Sequence, residues 1–190
     1  MDWRRYTPSP RAVDWGLFAA VATLLATGVA TMFTGTPDTA WVIDVHAVAG
    51  VVLVGLLPIK LWRVRHRVTP DRLTRVRVVS VLLAVDATGA LATGVWWIFG
   101  GALDLGPWGL FHLHVALGLL VAPLLVWHLR YRLHSPETAV RHGRRDAVRY
   151  AGLVAAGALV WRLQAPVNDA LDTAGADRRF TGSREEGSDA

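Results

Sequence analysis

The stretch LFHLHVALGLLVAPLLVWHLRYR, Leu110–Arg132, decides how the chain is read. It is apolar over the roughly 20 residues that a helix needs to cross a bilayer core. Yet it carries His112, His114 and His128. An imidazole at membrane depth is expensive, so each of the three asks for a function.

Similar apolar runs recur. Windows at 15–34, 41–62, 78–99, 107–129 and 148–165 are candidates for spanning, the last one shorter and interrupted by Arg162. Backbone polar groups in lipid must be satisfied within their own segment, so these runs predict helices. They are too long for the roughly 10-residue strands of a membrane barrel. The predicted fold class is an all-α integral membrane protein: an up-down four-helix bundle that binds haem, plus a fifth transmembrane helix. Its parts are an N-terminal arm over 1–14, a bundle over 15–133, a basic loop over 134–147, the fifth helix over 148–165 and a flexible tail over 166–190.

Charge orients these spans. Of a formal net +5, much is concentrated in the arm (Arg4, Arg5, Arg11), in 60–77 with seven Lys/Arg, and in 130–149 with six. The connections GTPDTA (35–40) and GGALDLGPWG (100–109) have none. Basic loops remain cytoplasmic. The N-terminus is therefore expected in the cytoplasm of a cell that carries the protein in its plasma membrane, with the C-terminus outside. The same segregation explains the arginines without nucleic acid. The chain has no cysteine, which excludes thiolate zinc sites and iron–sulfur clusters held by it. The first apolar run is too long for a cleavable signal and reads as an anchor.

An internal repeat narrows the chemistry. LATGV occurs at 25–29 and at 91–95, in the first and third spans, while HAVAG at 46–50 is answered by HVALG at 114–118, in the second and fourth. Two hairpins of one design would make a four-helix bundle with an approximate twofold axis. His46 and His114 then lie at similar depth on parallel, non-consecutive helices. His128 follows His114 by fourteen positions, within about 40° of the same face and roughly 21 Å along the axis, whereas His112 faces the opposite way.

Two neutral imidazoles facing each other across a bundle suit a six-coordinate haem iron. A flat macrocycle between helices needs backbone without side chains, and Gly28, Gly50, Gly94 and Gly118 fall at matching places in the repeat. Metal ligation is therefore assigned to His46 and His114. Zinc or non-haem iron is the rival, but Asp44 lies about 200° from His46 and is a poor co-ligand. Lys60 stands where the first hairpin would match His128, so one haem is favoured and a second at His128 is the alternative. Lys60, Asp86 and His128 form a candidate inner site, either an ion network or a place for quinone and protons. His66, His134 and His142 sit among arginines and receive no chemistry. Trp96 and Trp97 are candidate walls of the haem slot.

With these residues in view, the chain resembles the four-helix b-type cytochrome membrane domain of sulfite-oxidase-type molybdopterin oxidoreductases. The resemblance rests on HAVAGVVLVGLLPIKLWRVRHR, LHVALGLLVAPLLVWHLRYR and the tail RRFTGSREEGS at 178–188. It implies bis-histidine haem b on His46 and His114, and a fifth helix that leads the tail outside toward a molybdopterin domain. Residues 1–190 are not expected to include such a domain. The expectation is an electron-transfer subunit, not an enzyme on its own, working between the quinone pool and an extracytoplasmic oxidoreductase. The alternatives are a haem-free membrane anchor or assembly factor for such an enzyme, and a proton-coupled transporter using Asp86.

Overall fold

In the computed structural model, the described residues are 8–34, 36–67, 74–132 and 144–174. They form five helices: α1 (Pro10–Thr31), α2 (Trp41–Val64), α3 (Arg75–Gly100), α4 (Leu110–Arg132) and α5 (Arg144–Leu171). The expected tail from 175 onward, residues 1–7 of the arm, and His134 and His142 in the basic loop lie outside the described residues.

The helices begin and end where local chemistry directs. Ser9 caps α1, its hydroxyl accepting from the Ala12 amide at 3.2 Å, and Pro10 occupies the first turn, where its missing N–H is not needed. That cap starts α1 five residues before the apolar run, so residues 10–14 of the expected arm are helical. Residues 107–109, expected in the fourth span, instead belong to a small antiparallel ribbon, β1 (Asp104–Leu105) and β2 (Trp108–Gly109), turned by Gly106 at φ +69°. α5 also outruns its apolar window: it continues through Pro166 to Leu171, six residues into the expected tail. It stops in a Schellman arrangement. The Thr173 amide donates to the Asn168 carbonyl, the Asp172 amide donates to that of Asp169, and Asp172 takes φ +48°.

α1 packs closely along α2, and α3 along α4. The two hairpins meet more sparsely, through α1 with α4 and α2 with α3. α2 and α4 therefore stand at opposite corners. The core lies in the first hairpin, around Val13, Ala20, Val52, Leu53, Leu56 and Leu57, with Leu153 of α5 packed against it. Many apolar residues outside this core face outward: Leu82, Val85, Val126 and Val160 are all more than half exposed. So much apolar surface is what lipid covers.

α1 to α4 are each long and apolar enough to cross a membrane. α5, expected to span, is not among them by composition, since Arg149 and Arg162 interrupt it. Its contacts nevertheless follow the height of the bundle. Tyr150 donates its hydroxyl to the Ala12 carbonyl at one end. Leu153 meets Gly55, and Gly157 meets Val48. Trp161 donates to Asp44 at 2.7 Å, and Asn168 donates to the Ile98 carbonyl at 2.9 Å near the other end.

A candidate cofactor site between two hairpins

The LATGV repeat puts a threonine and a glycine at one level of α1 and again of α3. Thr27 donates its hydroxyl proton to the Thr23 carbonyl at 2.6 Å. With that proton committed, its oxygen can only accept from His46 Nδ1, 2.9 Å away. The second hairpin repeats the design. Thr93 donates to the Gly89 and Ala90 carbonyls, and His114 Nδ1 lies 3.2 Å from its hydroxyl and 2.9 Å from the Ala90 carbonyl oxygen. A carbonyl cannot donate. His114 therefore carries its proton on Nδ1, and His46 does so by the same logic, which leaves a lone pair on each Nε2. A metal-ligating histidine is commonly held this way, its other N–H given to a carbonyl or hydroxyl.

The two rings meet edge to face, with centroids 6.2 Å apart and planes at 79°. A metal–imidazole bond is about 2 Å and a ring centre lies about 1 Å behind its nitrogen, so two imidazoles on opposite sides of one metal have centres about 6 Å apart. The observed separation matches that span.

The glycines divide into two kinds. Gly28 and Gly94 receive the imidazoles themselves: a Cβ on Gly28 would lie 3.3 Å from His46 Cε1, and one on Gly94 would lie 3.0 Å from His114 Cε1. Gly50 and Gly118, one turn beyond each histidine, face open space with nothing within 4 Å of a Cβ. The same void occurs in both hairpins.

This donor set discriminates among metals. Zinc sites draw three or four protein ligands. Among the described residues no group of three His, Cys, Asp or Glu could hold a metal ion. Asp44 is engaged by Trp161, and the exposed His112 accepts from the Gly109 amide at 3.3 Å beside Trp108 and Phe111. Two imidazoles alone, at this separation, suit a metal that brings its own equatorial ligands, as haem iron does, so the residues present fit that group. Trp97 packs on Phe111, and Trp96 lines an apolar groove of about 610 Å³ with Val54, Leu91 and Val95.

The expected inner cluster does not assemble. Lys60 pairs with Asp14, His128 Nδ1 lies 3.0 Å from the Ser80 hydroxyl, and Asp86 joins neither. The reason is the repeat itself. Thr27 and Thr93 are 66 residues apart, as are Asp14 and Ser80; His46 and His114 are 68 apart, as are Lys60 and His128. Each far-end side chain is thus occupied by its partner in its own hairpin: Lys60 in an ion pair, His128 in a hydrogen bond. Thr27, Thr93, Ser80 and Asp14 were not singled out from sequence, although the offsets of the repeat would have located all four.

No protein-family model matches the chain, no curated protein is similar to it, and no solved structure matches its fold.

Proposed function

We propose that the chain is a membrane-bound b-type cytochrome. One haem b lies between α2 and α4 on His46 and His114, and electrons pass between the quinone pool and an extracytoplasmic oxidoreductase, a molybdopterin enzyme or a similar redox protein. The observation that carries this reading is the imidazole pair, 6.2 Å between ring centres, with each Nδ1 committed to a threonine or carbonyl. Haem supplies the one-electron iron couple. The rest falls to the chain: Thr27, Thr93 and Ala90 fix the ligand tautomers, Gly28 and Gly94 admit the rings, and Gly50 and Gly118 keep the slot open. The apolar surround and the two imidazoles tune the potential.

The placement of charge supports an N-terminus in the cytoplasm and the haem end facing outward. The course of α5 along the bundle supports a fifth crossing that delivers the tail outside, in the plasma membrane. The Asp14–Lys60 pair argues against a second haem, because it occupies the side chain that would have to stand opposite His128.

The test is optical. Purified in detergent, the protein is expected to give a b-type band in the reduced-minus-oxidised spectrum, with one haem per chain. His46→Ala and His114→Ala lose the band, and His112→Ala keeps it. A colourless wild-type protein overturns the reading, and so does a band that survives in His114→Ala.

A further inference from the structure

Val79, Asp86 and Thr93 follow one another at intervals of seven residues on α3. Seven residues turn a helix through about 700°, within about 20° of two full turns, so the three share a stripe. That stripe faces inward: Val79 is 8% exposed, Asp86 is 6% exposed, and Thr93 reaches His114. Asp86 thus lies on the side of α3 that bears the ligand pair, about 10 Å along the axis from the level of Thr93. Both of its carboxyl oxygens are buried without a hydrogen-bond partner among the described residues. The neighbouring titratable groups are engaged elsewhere, Arg63 among them by the Pro8 carbonyl. His46 is held by Thr27, His114 by Thr93 and Ala90, Asp44 by Trp161, Lys60 by Asp14, His128 by Ser80, and Tyr150 by the Ala12 carbonyl. Among the described residues Asp86 forms no ion pair with a charged group of α1, α2, α4 or α5. At the equivalent place in the first hairpin, 66 residues earlier, stands Ala20. The fold therefore does not need a polar group at this position.

We propose that Asp86 is a redox-linked proton site. When the bundle gains one electron from a one-electron donor, the Asp86 carboxylate takes up one proton from solvent. When the electron leaves, the proton returns to solvent. An unpaired charge in an apolar bundle is costly, and a second charge change two turns away is felt strongly where water is excluded. Neutralising one by the other lowers that cost. The inference rests on the cytochrome reading for the source of the charge change.

The test is a redox titration of haem-loaded protein with dithionite between about pH 5 and pH 9, across the range where side chains exchange protons near neutrality. The wild-type midpoint potential is expected to fall as pH rises, by at most 59 mV for each tenfold drop in proton concentration. Asp86→Asn, a mimic of the neutral acid, is expected to give a flat potential at the wild-type low-pH level, while Asp86→Glu keeps the slope. The redox-induced infrared difference spectrum is expected to contain a protonated-carboxyl band that Asp86→Asn removes. Haem content of the Asn variant verifies that it has folded, and the Glu variant serves in its place should it not. A flat wild-type potential, or a slope that persists in haem-loaded Asp86→Asn, overturns the inference while leaving the cytochrome reading intact. A protein that binds no haem overturns both.

Discussion

Both ligand candidates rest on a threonine and a backbone carbonyl, and the threonine can be removed from each by itself. His114 Nδ1 has the Ala90 carbonyl at 2.9 Å and the Thr93 hydroxyl at 3.2 Å. His46 Nδ1 has the Thr27 hydroxyl at 2.9 Å, and the ring is also hydrogen-bonded to the backbone of Leu24, the counterpart of Ala90 66 residues earlier. Thr27→Val and Thr93→Val keep the side-chain shape and leave the backbone acceptor in place. Each removes one hydrogen bond of two, so the loss is about 0.5–1.5 kcal/mol, roughly 2- to 13-fold in an equilibrium constant. The assay is haem titration into detergent-solubilised apoprotein, followed at the Soret band. Both valine variants are expected to weaken haem binding by a few-fold, and Thr27→Ser and Thr93→Ser to restore it. Unchanged binding in both valine variants, or serine variants no better than the valines, would refute the assignment of Nδ1 as the donor.

Two further perturbations probe close approaches. Gly94→Ala brings a Cβ to 3.0 Å from His114 Cε1, tighter than the 3.3 Å that Gly28→Ala makes at His46. Both substitutions favour the helix by about 1 kcal/mol, so apoprotein melting should be unchanged or improved while haem retention falls, more for Gly94→Ala. Gly101→Ala places a Cβ 2.6 Å from the Ala174 carbonyl oxygen at φ +68°. It is expected to lower stability by about 1–3 kcal/mol in thermal denaturation, with the absorption spectrum of surviving protein unaltered.

The spans were legible because hydropathy reports what the bilayer demands, and α2 begins at Trp41 as its window does. Hydropathy is blind to what extends a helix beyond lipid. Ser9 and Pro10 lengthen α1, and α5 runs past Pro166 until the Schellman turn at Asp172 stops it. The pairing of His46 with His114 was readable from the repeat, since equal spacing puts equivalent residues at one depth. The partners of those histidines were harder to see. A threonine in LATGV is ordinary in an apolar helix, and only the fold brings Thr27 within reach of His46. Lys60 and Asp86, at similar depth in sequence, looked like natural partners. Asp14, on the neighbouring helix of the same hairpin, is closer to Lys60 and fully accounts for its charge. The glycines also divided in a way that spacing alone does not reveal, two beneath imidazoles and two beside open space.

Each hairpin is closely packed within itself and touches the other only lightly, yet each supplies one of the two adjoining imidazoles. A prosthetic group bridging them would act as a rivet between prefabricated halves. Assembly would then be ordered, with each helical pair zipping up first and the macrocycle locking them together last. The robustness of the whole would rise with the amount of free pigment in its surroundings, by mass action.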